Sequence, residues 1–522
     1  MEDDPKKKTD VPVSRRGFLK LAAGAGIAGG ASSLSGCLVN EQKVGDSGWL
    51  PQQYRVPGNW PVQVRGRIPI DPANPAITRD DAKCVLCGQC QEVCEKIQTV
   101  HGHYELPVKD DFICIHCGQC SLWCPTAAIT ETFSIAKVDA ALADPGKIVI
   151  VQTAPATRVA LGEEFGMPVG SWVQGQQISA LRKLGFARVF DTNFSADLTI
   201  VEEATELVAR ITGKGGKHPL PQLTSCCPGW VKFVEYFYPD LIPNLSTAKS
   251  PQQMMGALIK TYYAKTGNID PEKIFSVSVM PCTGKKFEID RPEYHAAARY
   301  WNRPHLRDMD AVLTTRELAS MIKRANLNFP ELPEGSYDPL LGASSGAGLI
   351  FGNSGGVMEA AVRSAYFYLT GNKAPPEAFE FKKVRGLEGV KEASLSIPGV
   401  GPLHVAVIHG LKNARVVMDK VRAGNSRYHF IEVMSCPGGC VSGGGQPRSS
   451  TPPGDEMRRM RTAAIYQRDA GQNLRESYKN PEIKQLYANF LGEPCGELAH
   501  KLLHTDYVSR ADRLQPKKPQ KT

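Results

Sequence analysis

The chain has little that is extreme. Long, strongly apolar runs are missing, glycine follows no three-residue period, and charged residues make up 22% of a sequence that is 42% hydrophobic. A polytopic membrane protein, a collagen-like rod and a disordered chain are excluded together. There is no concentrated basic patch either. The 62 Lys and Arg exceed the 53 Asp and Glu by a formal +9, and that excess is spread along the chain and into both tails. So diffuse a charge gives no argument for nucleic acid. Fifteen cysteines in 522 residues are too few for a disulfide scaffold, yet all except Cys37 and Cys495 fall in short motifs. Grouped cysteines point to metal rather than to crosslinks.

The first 37 residues read as an address. Ser14-Arg15-Arg16-Gly17-Phe18-Leu19-Lys20 precedes a mildly apolar Gly/Ala-rich run to Gly36, the pattern of a twin-arginine export signal. That run is too weakly apolar for a good permanent span. Leu34-Ser35-Gly36-Cys37 looks like a lipoprotein cleavage site, which makes Cys37 a candidate lipid anchor. The expected partner is the twin-arginine translocase, which carries folded proteins. The expected location is the periplasm or the outer face of the cytoplasmic membrane. Residues 38–80, rich in Pro, Gly and polar residues, read as a linker.

Residues 81–140 hold the chain's internal repeat. Cys84, Cys87, Cys90 and Cys94 have the spacing CxxCxxCxxxC, and Cys114, Cys117, Cys120 and Cys124 repeat it, followed by Pro125. Three thiolates at this spacing surround one face of a [4Fe-4S] cubane and the fourth serves the other cluster. The spacing therefore assigns Cys84, Cys87, Cys90 and Cys124 to one cluster, and Cys114, Cys117, Cys120 and Cys94 to the second. Zinc sites or disulfides are the competing reading, but a zinc site closes with four ligands and needs no doubled pattern. The fold expected here is an α+β ferredoxin-like domain that works as an electron wire.

Over residues 145–455, short β-branched runs such as Lys147–Val151, Ile274–Val279, Ala311–Thr315 and His404–Ile408 alternate with helical patterns. This predicts an α/β domain of two lobes with parallel sheets, whose ligands sit at the carboxyl ends of strands. Three cysteine motifs follow strand-like stretches: Thr224-Ser225-Cys226-Cys227-Pro228, Met280-Pro281-Cys282-Thr283-Gly284-Lys285, and Met434-Ser435-Cys436-Pro437-Gly438-Gly439-Cys440. Four of these thiolates could converge on one more cubane, with zinc as the competing metal. The run Gly443-Gly444-Gly445 would permit close approach to a bulky inorganic group. The segment Ala196–Thr212 predicts a helix with one apolar stripe, Glu203 at its edge and Glu206 on the polar face with Arg210 as an i,i+4 partner. Residues 456–510 are polar and helical in pattern and 511–522 form a basic tail. His500 and His504 read as packing or surface residues, and Cys495 has no reading.

These motifs, in this order after a two-cluster module, resemble the catalytic core of [FeFe]-hydrogenases over roughly residues 75–510. The resemblance implies an H-cluster, a [4Fe-4S] cubane joined through one cysteine to a two-iron unit with CO, cyanide and a bridging dithiolate. By motif position its ligands would be Cys227, Cys282, Cys436 and Cys440, the last bridging the two parts. Lys285 would hold a cyanide ligand, Gln252 and Pro251 would flank the other diatomics, and Met280 and Met434 would wall the site. Glu288 belongs to the same motif. Pro155 and Ala156 match a loop in which some relatives carry Ser where Ala156 stands, so one cyanide contact is not expected here. Cys226, Glu203, Ser246 and Glu206 match a proton relay. Residues from about Arg461 to Tyr507 resemble the small subunit of periplasmic two-subunit enzymes, which implies a fused, monomeric hydrogenase. Its substrates would be H2 and protons, its carrier a c-type cytochrome or ferredoxin, and its assembly would depend on H-cluster maturation enzymes. An iron-sulfur scaffold without the two-iron unit, or an H2 sensor, is the rival reading.

Overall fold

A computed structural model describes residues 66–106, 108–449 and 453–516. The twin-arginine motif, Cys37 and residues 38–65 of the expected linker lie outside the described residues. Among the described residues, Gly66 and Leu86–Gly88 form a small unit of their own, with a parallel bridge between Gly66 and Cys87. The rest of the described chain makes a second, much larger compact unit.

The strands in chain order are β1 (Ile77–Arg79), β2 (Ile129–Glu131), β3 (Ile148–Thr153), β4 (Arg188–Asp191), β5 (Gln222–Leu223), β6 (Ile274–Met280), β7 (Ala311–Thr314), β8 (Val390–Ile397), β9 (Gly401–His409) and β10 (Phe430–Met434). β1 and β2 pair antiparallel. With the short helices Gln89–Glu92 and Gln119–Leu122 they surround a small core of Ile68, Ala76, Ile77, Val93 and Ile129. β1 lies inside the stretch read as linker, because three residues are too few to show an alternation. The helix Ile135–Ala143 sends Val138 and Ala141 into a core with Val149 and Val151, so the larger domain's packing already begins before residue 140.

Two four-stranded sheets follow. One, in the order β4-β3-β6-β7, is parallel throughout. The other, in the order β5-β10-β9-β8, is parallel except for the β8–β9 hairpin. That antiparallel edge departs from the expectation of parallel sheets. β8 alternates buried and exposed residues, whereas β6 and β10 are buried on both faces, as the interior strands of a covered parallel sheet must be.

The helix Thr192–Ile211 starts directly after β4, capped by Asp191, whose carboxylate accepts from the Asn193 amide at 2.7 Å. It is packed by the helices Pro251–Leu258 and Gly356–Thr370, so burial extends well beyond one stripe and takes in Asp197, Glu202 and Glu203. Glu203, expected at the stripe's edge, is therefore an interior residue.

Three further helices, Asp455–Ala470, Pro481–Leu486 and Glu497–Leu503, brace this frame. Arg363 donates to Glu359 at 2.6 Å and to Asp469 at 3.0 Å, all three fully buried. Residues 511–516, the start of the basic tail, pack on the cysteine-rich module. The Lys109 amide donates to the Gln515 carbonyl at 2.6 Å, and Arg513 pairs with Asp110 at 2.6 Å. Among the described residues no helix is long and apolar enough to cross a membrane.

Arg363→Met removes the cation shared by Glu359 and Asp469, which keep Arg385 and Arg475 as partners, and should lower stability by about 2 kcal/mol. Denaturant unfolding of the folded holoprotein checks this, and an unchanged midpoint contradicts it.

Candidate active site

The loops that leave the carboxyl ends of β3, β6 and β10, together with the one after β5, converge on one cavity. This is where a parallel sheet leaves room for a ligand, and here two sheets contribute. Ala154-Pro155-Ala156 follow β3, Cys226 and Cys227 follow β5, Met280 ends β6 with Cys282 just beyond it, and Met434 ends β10 with Cys436 and Cys440 in the loop that follows. All line the cavity, as do Pro251, Gln252 and Lys285. Ser435 of the third motif lines it too, as do Thr192 and Phe351, which no motif had singled out.

Cys227 is the N-cap of the helix Pro228–Phe237. Burial pushes Cys282 up to about 12, with Cys227 as the next cause. Burial also pushes Cys436 and Cys440 above the ordinary thiol range, helped by the neighbouring thiols. Sulfurs that raise one another this way lie together, and without a cation between them they keep their protons. Gln119 adds a contact that sequence reasoning missed. Its Nε2 donates to Cys436 Sγ at 3.1 Å and to the Ser442 carbonyl at 2.8 Å. Only its adjacency to Cys120 could have signalled it.

Lys285 is the cation of the cavity lining. Burial works against its charge, but Glu288 and then the Cys282 and Cys226 thiols more than offset this and hold it above the ordinary lysine value. Its ammonium donates to both Glu288 oxygens, at 2.8 and 3.0 Å, and to the Cys226 carbonyl at 3.1 Å. Glu288 in turn accepts from Ser250 at 2.8 Å and from Gln252 at 2.9 Å, and Ser278 holds the other end of Gln252 at 2.7 Å. The lysine, glutamate and glutamine thus form one fixed network.

The glycine run serves loop packing. A Cβ on Gly443 would strike the Pro281 carbonyl, one on Gly444 the Cys117 carbonyl, and one on Gly445 the Thr314 side chain. These glycines allow loops to pack on each other, and Gly443 alone of the three lines the cavity.

The second cysteine loop docks against this site. Thr283 Oγ1 donates to the His116 carbonyl at 2.9 Å, and Ser121 Oγ donates to the Gly444 carbonyl at 3.0 Å. Burial raises Cys117 and Cys120, and Cys94 to about 12; Cys114 contributes to each of these shifts. Cys94, Cys114, Cys117 and Cys120 therefore lie as one group, and Cys117 also feels Cys282. Cys90 neighbours this group, and Cys84 and Cys124 are half-buried. His116 is packed, its ring 4.4 Å from that of Phe287.

Cys226 lines the cavity, and Glu203 is near enough to act on its thiol. Burial, then Glu203, pushes the Cys226 thiol well above its ordinary value, so it holds its proton near neutral pH rather than standing close to titration. Burial, then Glu206, pushes Glu203 up to about 8. Neither Glu203 oxygen makes a well-formed hydrogen bond, a rare state for an interior carboxyl. Ser246 is near enough to act on Glu203, and its hydroxyl donates to Glu206 at 2.6 Å. Glu206 is also held by Arg210 at 2.5 Å and the Thr247 amide at 3.2 Å.

Gln119→Leu removes a donor to Cys436. Losing a hydrogen bond of about 1 kcal/mol should lower the potential of a cluster ligated there by about 40 mV in a one-electron couple. A redox titration followed by electron paramagnetic resonance reads it, and an unshifted potential contradicts the assignment.

The family model described as iron only hydrogenase large subunit, C-terminal domain matches residues 147–444, and that of the iron hydrogenase small subunit matches 455–510. The periplasmic [Fe] hydrogenase large subunit of Nitratidesulfovibrio vulgaris is 50% identical over 70% of this chain and 85% of its own length. The NADP-reducing hydrogenase subunit of Solidesulfovibrio fructosivorans is 47% identical over 83% of this chain and 75% of its own. A solved [FeFe]-hydrogenase from Chlamydomonas reinhardtii, itself a variant, superposes with a TM-score of 0.64 at 42% identity, covering 72% of this chain and 98% of that one. Large- and small-subunit regions joined in one chain, and a cavity lined by cysteines of three loops, place this protein in the iron-only hydrogenase family as an H2-metabolising oxidoreductase.

Proposed function

We propose that this chain is an exported hydrogenase that interconverts H2 with two protons and two electrons, and passes the electrons through two [4Fe-4S] clusters to an external carrier. The observation that carries the reading is the single cavity shared by Cys227, Cys282, Cys436 and Cys440, with Lys285 and Cys226 on its wall. The family's H-cluster fits that cavity by donor chemistry. Buried thiols that push one another up are stabilised as thiolates by iron, and a lysine fixed by Glu288 supplies a donor for anionic ligands. Bound there, the cluster would supply the redox-active iron at which H2 is split heterolytically.

The chain's own residues would do the rest. Cys227, Cys282, Cys436 and Cys440 would hold the cluster. Lys285 and Gln252 would orient its diatomic ligands, with Pro251 and Pro155 beside them and no hydroxyl at Ala156. Met280 and Met434 would form soft apolar walls that exclude water. Cys226 would be the first proton donor and acceptor. Its thiol keeps its proton at neutral pH, so it acts by giving a proton up and regaining it rather than by resting as a thiolate. A neutral Glu203 can donate to Ser246 Oγ, whose own proton points to Glu206, so a proton can move outward along three oxygen-bearing groups. Arg210 keeps Glu206 in place at the outer end.

The module over residues 81–140 would be ferredoxin-like, with one cluster on Cys94, Cys114, Cys117 and Cys120 and one on Cys84, Cys87, Cys90 and Cys124. Twin-arginine export, with Cys37 as candidate anchor, would put the enzyme in the periplasm or at the membrane's outer face. There, H2 oxidation feeding a c-type cytochrome is the physiological direction that fits, a ferredoxin being the second candidate carrier. The family's maturation enzymes would install the two-iron unit in the cytoplasm before export.

Viologen-linked H2 uptake by anaerobically matured protein tests the reading, and matured protein without turnover would favour a scaffold or sensor. Glu203→Gln should cut turnover about tenfold or more with iron content unchanged; near-normal turnover removes it from the path. In the parent enzyme Glu203 keeps its proton at neutral pH and loses it as pH rises through about 8. H2 evolution, which draws protons inward, should fall along that limb, and the limb should vanish in whatever activity Glu203→Gln retains.

A further inference from the structure

Cys495 belongs to neither cluster set and to no step of the relay. Its backbone has φ of +55°, a left-handed conformation uncommon for a residue with a side chain. Its Sγ, the Nε2 of His504 and a carboxylate oxygen of Glu202 all lie within 4.8 Å of one another. His504 Nε2 and Glu202 Oε2 are 3.0 Å apart, and the Cys495 amide donates to that same oxygen at 2.7 Å. Glu202 and His504 are buried and Cys495 is half-buried.

We propose that Glu202, Cys495 and His504 form a binding site for a divalent transition cation, zinc in the first instance, separate from the iron-sulfur centres. One thiolate, one imidazole and one carboxylate are ligands that zinc takes together at tetrahedral spacing, with water for the fourth position. Charge favours it as well. A dication with one thiolate, one carboxylate and a neutral imidazole closes at zero net charge, which a buried site requires.

The surroundings are built as metal sites are. Thr247 Oγ1 holds His504 Nδ1 at 2.7 Å, fixing the ring with Nε2 turned to Glu202, the outer bond that ligating histidines make. The Tyr487 hydroxyl donates to Glu202 Oε1, which leaves Oε2 facing the histidine and cysteine. Without a cation, burial and then the Glu202 charge keep the Cys495 thiol protonated. Binding would release that proton to solvent and put the metal in its place.

Such a site has a structural consequence. Glu202 sits on the helix that carries Glu203 and Glu206, whereas Cys495 and His504 come from the region that matches the small subunit. One cation would tie that region to the relay helix, whatever reaction the cavity performs.

The test uses untagged holoprotein with its iron centres filled, treated with a mild chelator and then titrated with zinc chloride. Metal analysis and zinc K-edge absorption read the result. The proposal expects one zinc per chain in a mixed sulfur, nitrogen and oxygen shell, and a zinc-dependent rise in thermal midpoint. Cys495→Ala should lose that zinc and that rise while keeping its iron content and viologen-linked H2 uptake. Thr247→Val should weaken zinc by roughly 10–100-fold through loss of the outer bond. A parent protein that takes up no stoichiometric zinc overturns the site, as does Cys495→Ala binding zinc equally well or an all-sulfur shell.

Discussion

Buried thiols resist losing their protons, and the rest of this protein follows from arranging several of them in one place. Cys282, Cys436 and Cys440 are each pushed up by burial and by the other sulfurs around the cavity. Such a group is poor as free thiols and good as an iron site, because the cation removes the cost that burial imposes. Two open sheets make the gathering possible. Each presents carboxyl-end loops, and the sulfurs sit at loop positions fixed by strands buried on both faces. Lys285 complements this with a buried positive charge, which Glu288 keeps protonated and aimed.

The outer parts of the chain serve that centre by position. The second cysteine loop is pinned to it through His116, Ser121 and Gln119, so the sulfurs around Cys117 and those around Cys436 belong to one packed region. The C-terminal region holds the opposite side. Arg461 donates to the carbonyl of Val441, the residue after Cys440, at 2.6 Å, and Asp197 in the relay helix accepts from Ser477 at 2.7 Å. A chain that joins both regions covalently keeps these contacts intramolecular.

Much of this was legible in sequence, for definite reasons. Cysteine spacing reports ligand geometry directly, so the grouping of Cys94 with Cys114, Cys117 and Cys120 could be read from the repeat. Three of the four strands of the parallel sheet, β3, β6 and β7, announced themselves as β-branched runs, whereas β4 did not. What escaped lacks a local signal. β1 is too short for a pattern, and the β8–β9 hairpin is marked only by an alternation and by the Gly399 and Gly401 turn. Glu203 looked peripheral because periodicity sees one face of a helix, and here helices cover more than one. Gln119 and Cys495 act on partners hundreds of residues away. The missing side chains of the glycines after Cys440 also make room for neighbouring loops, which no sequence pattern announces.

The most direct measurement of the central claim is infrared spectroscopy of the anaerobically matured protein. Cys227, Cys282, Cys436 and Cys440 gathered around one iron centre predict sharp bands of CO and cyanide bound to iron, lost together when Cys440 is replaced by Ser. A fully matured protein without such bands, or one whose bands survive that replacement unchanged, would contradict the account.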